Sequence, residues 1–595
     1  MEIMKFNFKN LFSILFFTVI LSFSTQAEVK PKPKPKYAIS MFHFNFQYVA
    51  GDYKIESRIV RESLYPALQF FEKNPVYKAN FEFQGYAIES MAEDFPHVLK
   101  LLKKLINRGQ IELVIAHYSD QFFIAYPGLD LRKSVEISDK ILKKYGLKRS
   151  RVFFGQEIQY SPGTATALKG LFDVVVTSSD PHGYYRGETP PLVNIKYGDD
   201  EILGLIGAGT KKLKNLDWEW AFLDDGEVFN TLDYRSDFYF VPEQEKESID
   251  KYKKMKKEGY KFVTMSEFVK VLQKDKDYEI DEYAFVPEGT WNMSVCGPYM
   301  WMGRQRSGVE TDGITRALCY ELRGEILATE KLISYAKKQG QDIKKMTVGI
   351  EKAWKHLLLS EVSDSSGWTP WLVEVQYTAN EVANARKELK KINDELVKVL
   401  PDNYLVINTK DGSIIEKETI AKNKTTEVYL PIPLHIRAAS YTTKIQQINE
   451  NLYQLDINCK RPSDGAVEIA FETAADNLAY SAGAGEETIV KIPTDFKNNP
   501  NLALSNGFLY LGNGFSLIKD CSVEHLAVTW RQSEKRAVFR QELNENNPEM
   551  NMRFYVFKGD EVEAHQLANT LNTWPIFAAK KNGNKVELEK MFPTK

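Results

Sequence analysis

The stretch FFGQEIQYSP, residues 153–162, places one carboxylate, Glu157, directly after a short apolar run. The run from Arg151 to Phe154 predicts a buried strand, so Glu157 would lie at the point where that strand ends. In barrels of parallel strands the catalytic side chains converge at the carboxyl ends of the strands. The segment therefore predicts a parallel β/α barrel with an acidic group at its mouth.

Strands and helices alternate around this segment, from residue 37 to residue 275. The predicted strands are Tyr37–Phe46, Asn80–Gln84, Gln110–Ile115, Arg151–Phe154 and Phe172–Thr177, and helical patterns include Ile55–Glu72, Asp94–Asn107 and Leu131–Tyr145. Alternation of this length favours a parallel sheet, most simply a barrel. Further along, Leu192–Ile206 is typical of an inserted hairpin and Asp217–Leu223 of another strand.

The rest of the chain changes pattern twice. Residues 276–400 begin with a loop rich in Gly, Pro and aromatic residues and continue as amphipathic helices, which predicts a helical bundle beside the barrel. From residue 401 to residue 595 short segments alternate apolar and polar positions between turns. This pattern predicts a C-terminal antiparallel β-sandwich domain, so the fold class is α/β plus all-β.

The N-terminus has the form of an export signal. Lys5 and Lys9 precede an apolar run, and Ala27 closes a cleavage site of small residues, so residues 1–27 predict a signal peptide. Residues 28–36, with their Lys-Pro repeat, predict an extended linker. We therefore expect a periplasmic or secreted protein without stable membrane insertion after cleavage.

Charge and cysteine content limit the classes of partner. The formal net charge is −2, which does not favour nucleic acid as a partner. The four cysteines fit no zinc motif by their spacing, and in an exported protein they predict the disulfides Cys296–Cys319 and Cys459–Cys521 among three allowed connectivities. The sequence does not specify an oligomeric state.

Several motifs, in order along residues 37–400, resemble glycoside hydrolase family 57, whose members are mostly retaining enzymes that act on α-glucans. FFGQEIQYSP is similar to the family segment that carries the nucleophile, which falls on Glu157. FLDDGEVFN, residues 222–230, is similar to the segment that carries the general acid/base, which falls on Asp225. The resemblance also implies an incomplete (β/α)7-type barrel and a reaction without cofactor or metal.

Other motifs imply substrate-binding residues. GQIELVIAHYSD (residues 109–120), VVVTSSDPHG (residues 174–183) and SDSSGWTPW (residues 363–371) are similar to family segments, whereas HFNFQY (residues 43–48) keeps the first family histidine but has asparagine at the second. The expected substrate contacts are His43, Asn45, Asp120, Asp180, His182, Trp291 and Trp368. Because Asn45 departs from the family pattern, the preferred sugar or linkage is open.

The chemistry of two carboxylates agrees with this assignment. Retention requires one carboxylate that attacks and one carboxylic acid that protonates the leaving oxygen, with the two carboxyl groups about 5–5.5 Å apart. The sequence thus predicts an exported retaining glycoside hydrolase that cleaves α-linked oligo- or polysaccharides. A transglycosylase of the same family, a metal-dependent polysaccharide deacetylase or zinc mannosidase on a related barrel, and a non-catalytic glycan-binding protein are the alternatives.

Overall fold

The structure is a computed structural model. It describes residues 33–46, 52–179, 189–207, 212–229, 242–283, 285–291, 297–304, 310–367, 372–420, 426–494, 496 and 498–592. The predicted signal peptide, Cys296 and three predicted site residues (Asp180, His182 and Trp368) lie outside these ranges. Among the described residues, none of the helices combines the length and the apolar character needed to cross a membrane.

The N-terminal region alternates strands and helices, and the predicted strands lie where the sequence placed them. Its strands are β1 (Lys36–Phe44), β2 (Ala79–Phe83), β3 (Ile111–Val114), β4 (Val152–Phe154), β5 (Val174–Thr177), β6 (Leu192–Tyr197), β7 (Asp200–Ile206), β8 (Asp217–Asp225), β9 (Tyr260–Phe262) and β10 (Asp281–Tyr283). Its α-helices are α1 (Tyr53–Arg58), α2 (Tyr65–Lys73), α3 (Gly85–Asp94), α4 (Pro96–Asn107), α5 (Gly128–Tyr145), α6 (Thr164–Leu168), α7 (Pro242–Lys257) and α8 (Met265–Lys274).

These strands form two sheets. The first has the order β3-β2-β1-β8, with β9 also paired to β1, and all of its pairs are parallel. The second has the order β10-β6-β7-β5-β4, in which β6 and β7 form the predicted antiparallel hairpin. Apolar side chains of both sheets, among them Ile39, Val114, Phe154 and Val176, belong to one buried cluster, so the two sheets share a core.

Strand β1 shows why one end of this core is polar. Successive side chains of a strand point to opposite faces, so Ile39 and Met41 share a face with His43. Ile39 and Met41 lie in the core that the two sheets share, whereas Ala38, Phe42 and Phe44 pack in the other cluster. His43 therefore continues the inner face of the strand toward its carboxyl end.

The remaining elements are three long helices and then mainly strands. The helices are α9 (Asp312–Lys338), α10 (Lys344–Ser360) and α11 (Leu372–Leu396), and a short α12 (Glu561–Ala568) lies among the later strands. The later strands are β11 (Tyr404–Asn408), β12 (Ile414–Lys417), β13 (Thr426–Glu427), β14 (Leu434–Arg437), β15 (Ser440–Asn449), β16 (Leu452–Lys460), β17 (Ala466–Glu472), β18 (Ala479–Ser481), β19 (Ile489–Lys491), β20 (Asn501–Leu502), β21 (Phe508–Gly512), β22 (Phe515–Lys519), β23 (Val528–Arg531), β24 (Arg536–Glu542), β25 (Glu549–Lys558), β26 (Ile576–Asn582) and β27 (Lys585–Met591).

The later strands form three antiparallel sheets. Their orders are β12-β11-β26-β27, β13-β15-β16-β25-β22-β21-β18-β19 and β14-β17-β24-β23-β20. Phe554 of the eight-stranded sheet contacts Phe471 and Phe539 of the five-stranded sheet, with ring centroids 5.0 Å apart in both pairs. Multiple sheets with helices agree with the predicted fold class, while the exact barrel, the sandwich and the domain boundaries stay predictions.

The predicted disulfide Cys459–Cys521 is wrong. Cys319, Cys459 and Cys521 are all free, buried thiols. Cys459 lies on β16 and Cys521 follows β22, and strand β25 lies between these two strands in the sheet. Strands are about 4.8 Å apart, so two spacings exceed the usual Cα–Cα distance of a disulfide. The pairing Cys296–Cys319 is also not formed, since Cys319 is free.

A glycine-rich loop of the β region, residues 482–486, packs directly against the N-terminal region. The amide of Gly483 donates to the buried carboxylate of Glu288 at 2.5 Å, and Glu486 accepts from the amide of Gly128 at 2.6 Å. A Cβ at Gly163 would lie 2.4 Å from Gly485, so the two backbones approach too closely for a side chain. This close contact ties the β region to the strands that carry the polar end of the core.

We expect Gly163→Ala to destabilise the protein by about 1–3 kcal/mol, because the added methyl group forces the two backbones apart. Gly207→Ala is the matched control, since a Cβ there meets its nearest neighbours at 3.5 Å and 3.6 Å, which is ordinary contact. Thermal unfolding of both variants measures the difference. An unchanged melting temperature for Gly163→Ala would contradict the tight interface.

Candidate active site

Polar side chains gather at the carboxyl ends of the parallel strands. His43 lies near the end of β1, Glu82 on β2 and Asp225 at the end of β8, and Asp120 and Glu157 follow β3 and β4. The register of the first sheet places His43 directly beside both Glu82 and Asp225. Of the predicted site residues, the structure thus brings together His43, Asn45, Asp120, Glu157, Asp225 and Trp291, which contact or influence one another as described below.

Glu157 has an unusual backbone conformation. It lies in a single 3-10 turn, Gln156–Ile158, and both Glu157 (φ 60°) and Ile158 (φ 47°) are left-handed. Residues other than glycine rarely adopt this conformation, because Cβ crowds the carbonyl oxygen, and such strain is concentrated at functional sites. The preceding Gly155 leaves room for Phe123, whose ring would lie 2.7 Å from a Cβ at that position.

The carboxylate of Glu157 is held by two donors from other parts of the chain. Trp291 Nε1 donates to Oε2 at 2.5 Å, and Ser363 Oγ donates to Oε1 at 3.0 Å. The amide of Trp291 also donates to the carbonyl of Glu157 at 2.9 Å. Burial raises the pKa of Glu157, while the hydrogen bonds from Trp291 and Ser363 lower it and offset part of that rise. Both hydrogen bonds favour the ionised form that a nucleophile needs.

Asp225 differs from Glu157 in its surroundings. Burial raises the pKa of Asp225 to about 6, against the opposing charge of His43, and the charge of Asp224 adds a smaller rise. Consecutive residues of a strand face opposite ways, and Asp224 is exposed, so its charge has the smaller effect. Burial is therefore the main reason that Asp225 can hold a proton near neutral pH, as a general acid must.

His43 is the positive centre of the cluster. Its Nδ1 lies 2.5 Å from Glu82 Oε2, and its Nε2 lies 3.9 Å from Asp120 Oδ1. Burial alone would lower the pKa of His43. The carboxylates of Glu82, Asp120 and Asp225 raise it by more than burial lowers it, so the net pKa is well above the ordinary value. An imidazolium here would balance part of the negative charge of its neighbours.

Asn45 connects two carboxyl groups that the sequence did not select. Its amide donates to Glu227 Oε1 at 2.8 Å, and its side-chain Nδ2 donates to Asp364 Oδ2 at 2.7 Å. Burial and the charge of Glu157 raise the pKa of Asp364 to about 8, with the bond from Asn45 acting against them. Near neutral pH Asp364 is therefore mostly a neutral acid, which leaves the negative charge on Glu157.

Sequence reasoning missed Glu82, Ser363 and Asp364 as members of this cluster. The signal for Ser363 and Asp364 was present in SDSSGWTPW, where only the tryptophan was selected. Glu82 lies inside a strand of alternating aromatic residues, ANFEF, and only the register with β1 shows that it faces His43. Trp291, selected as a sugar platform, is 38 % exposed beside Glu157, as such a platform requires.

Within the described ranges, no group of three or more His, Cys, Asp or Glu side chains has an arrangement that could hold a metal ion. The chemistry that these residues can supply directly is proton transfer and nucleophilic attack. The charge of Asp225 raises the pKa of Glu157, and the two carboxyl groups have different neighbours: Trp291 and Ser363 beside Glu157, and His43 and Asp224 beside Asp225.

Comparison with known proteins points to one family. The family model described as glycosyl hydrolase family 57 matches residues 45–239, which include Glu157 and Asp225. A 4-alpha-glucanotransferase of Thermococcus litoralis is 30% identical over 113 residues, covering 19% of this chain and 17% of that protein. An alpha-amylase of Pyrococcus horikoshii is 25% identical over 138 residues, covering 23% of this chain and 21% of that protein. The chain thus spans about a fifth of the length of these relatives.

A solved structure extends the likeness in fold over most of the chain. An alpha-mannosidase from Enterococcus faecalis V583 superposes with a TM-score of 0.62 at 10% sequence identity, covering 93% of this chain and 90% of that chain. At this identity the likeness concerns the fold alone. The segment that the family model matches, residues 45–239, carries both selected carboxyl groups.

Proposed function

We propose that this protein is a retaining glycoside hydrolase that cleaves α-linked glycans, with Glu157 as nucleophile and Asp225 as general acid/base. The reaction would take place at the carboxyl ends of the strands of an incomplete (β/α)7-type barrel. Glu157 attacks the anomeric carbon while Asp225 protonates the leaving oxygen, and a glycosyl ester forms on Glu157. Asp225, now ionised, then removes a proton from the water that hydrolyses the ester, and the anomeric configuration is retained.

One observation carries this proposal: two carboxyl groups at strand ends, Glu157 after β4 and Asp225 at the end of β8, have different surroundings. Trp291 and Ser363 donate to Glu157 and stabilise its ionised form. Burial holds the pKa of Asp225 at about 6, where it can both give and take a proton. His43, Asn45 and Asp364 lie around the pair and offer donors and acceptors to sugar hydroxyl groups.

The proposal is tested with a panel of α-linked glycans that contains maltooligosaccharides, amylose and α-mannan. Separation of the products by size distinguishes transglycosylation from hydrolysis. NMR identifies the anomer that is released first. We expect a retained anomer and activity that persists in a chelator, because the mechanism uses carboxyl groups alone. Release of the inverted anomer would exclude the two-step mechanism, and activity lost with chelator would favour a metal-dependent enzyme.

The hydrogen bond from Ser363 provides a finer prediction. Ser363→Ala removes a donor that lowers the pKa of Glu157, so that pKa rises and the acid limb of the kcat/KM profile moves upward by about 1 pH unit. We also expect kcat to fall by about tenfold. Ser365→Ala is the matched control, since the buried Ser365 hydroxyl has no hydrogen-bond partner within the described part of the chain. An unchanged acid limb in Ser363→Ala would show that this bond does not tune Glu157.

We also propose that the enzyme acts outside the cytoplasm, on the strength of the export signal at residues 1–27. Fractionation of the producing cells, with activity measured in the periplasmic and culture fractions, tests this localisation. Activity confined to the cytoplasmic fraction would contradict it.

A further inference from the structure

A large cavity lies away from the strand ends that carry Glu157 and Asp225. It is an open cleft of 860 Å³ between helices α9 and α11 on one side and the β region on the other. Its volume falls within the range of ordinary ligand sites. None of the residues that line it belongs to the candidate active site, so the cleft requires its own explanation.

Several of the charged side chains that line the cleft form ion pairs within its walls. Glu321 and Glu325 of α9 both bind Arg386 of α11, each at 2.7 Å. On the opposite wall Lys590 binds Asp520 at 3.3 Å. Arg386 and Glu321 are the more accessible members, with side chains 38% and 53% exposed, whereas the side chain of Asp520 is 5% exposed. The walls therefore present hydrogen-bond donors and acceptors side by side with little net charge.

The cleft continues onto the outer face of the eight-stranded sheet. Arg553 and Val523 line both the cleft and a shallow groove of 370 Å³ on that face. Two rows of polar side chains cross three strands in the groove. The strand register aligns Thr442, Asn458 and Asn551 in one row and Lys444, Asp456 and Arg553 in the next.

Members of the rows contact one another across the strands. Asn458 Nδ2 donates to Asn551 Oδ1 at 2.8 Å, and Arg553 Nε donates to Asp456 Oδ1 at 2.6 Å. Amide, hydroxyl and charge-paired groups thus form one surface from the sheet into the cleft. Three adjacent strands span about 10 Å, so the surface can follow an extended ligand.

This chemistry fits a neutral, hydroxyl-rich ligand better than a charged one. At these ion pairs, an anion or a cation would have to displace one member of the pair, which costs desolvation without a compensating partner. A sugar hydroxyl group both donates and accepts, so it can bind next to a carboxylate and a guanidinium at once. We propose that the cleft and its groove bind a segment of a neutral polysaccharide at a distance from the active site.

The proposal rests on the proposed function for the identity of the polysaccharide, which would be the chain that the active site cleaves. Binding at a second site would hold a polymer on the enzyme and raise its local concentration at the active site. The effect would therefore be confined to long substrates. Short oligosaccharides would be cleaved at the same rate with or without the groove.

The test uses the full chain and the double variant Asp456→Ala/Arg553→Ala, which removes both members of one ion pair and leaves no unpaired charge. Arg437→Ala/Asp464→Ala is the matched control, because it removes another exposed Arg–Asp pair of the β region that lies outside the cleft. Affinity electrophoresis through gels that contain amylose or α-mannan measures binding, and maltotetraose cleavage measures the active site. Glu157→Gln is run beside them, so that binding is measured without turnover.

We expect one of the two polysaccharides to retard the wild type in the gels. Asp456→Ala/Arg553→Ala should bind that polysaccharide about tenfold more weakly than the wild type, with maltotetraose cleavage unchanged. Retardation equal to that of the wild type, or no retardation of the wild type by either polysaccharide, would overturn the second site. Failure of the proposed function is distinguishable from failure of the second site. If the proposed function is wrong, the wild type cleaves no glycan in the panel, whether or not the gels retard it.

Discussion

Glu157→Gln should lose at least ~10⁴-fold in kcat/KM on every glycan that the wild type cleaves, because an amide cannot form the glycosyl ester. The substitution keeps the size of the side chain and can still accept the bond from Ser363. Folding should therefore be preserved, and circular dichroism and thermal unfolding check this. Glu157→Ala with added azide should recover part of the rate and release a glycosyl azide of inverted configuration, since azide replaces the missing nucleophile.

Glu112→Gln is the control for the first prediction. Glu112 is a carboxylate on β3 of the same sheet, but it accepts from the amide of Ser266 at 3.1 Å and does not face the active site. Its replacement should leave kcat/KM within a few-fold of the wild type. If Glu157→Gln kept a tenth of the wild-type activity while Glu112→Gln behaved as expected, the nucleophile would have to be another residue, with Asp364 the nearest choice.

Asp225→Asn should lower kcat/KM by about 10²–10⁴-fold on natural glycans, because the leaving oxygen then departs without a proton. The loss should be much smaller on an aryl glycoside, whose leaving group needs no protonation. The pH profile gives a second readout. The acid must be protonated, and the pKa of Asp225 is raised to about 6, so wild-type kcat/KM should fall as pH rises through about 6. This alkaline limb should disappear in Asp225→Asn.

Asp224→Asn separates the role of Asp225 from the effect of nearby charge. Asp224 is adjacent and accepts from the amide of Asp225 at 3.0 Å, but its side chain points away from the cluster. We expect a downward movement of the alkaline limb by less than one pH unit and little loss of rate. Equal losses in Asp224→Asn and Asp225→Asn on natural glycans would contradict the assignment of the acid.

The parallel strands were predictable because each is a short apolar run followed by polar residues. Tyr37–Phe46 and Arg151–Phe154 show this pattern, and both strands formed close to the predicted bounds. The positions of Glu157 and Asp225 at strand ends were predictable for the same reason, since each follows or ends such a run. Cys459 and Cys521 were mispaired because sequence spacing says nothing about the strand that lies between them.

The missed residues share one property: their role depends on partners far away in the sequence. Ser363 contacts Glu157 across 206 positions, and Asn45 contacts Asp364 across 319. Neither partner of these pairs shows a local pattern that indicates the other. Burial, which sets the pKa of Asp225, is likewise a property of the packed chain and not of the neighbouring residues.

The contact between the glycine-rich loop and Glu288 has a consequence for how this protein could evolve. Glu288 accepts a hydrogen bond from the amide of Gly483. The next residue, Gly289, forms an antiparallel bridge with Tyr160, which lies three positions after Glu157. Trp291, in the same short segment, binds Glu157 itself. The β region is therefore built into the wall of the candidate active site and is not an exchangeable module. Recombination that swapped this region for an unrelated domain would remove a support of Glu157 along with it.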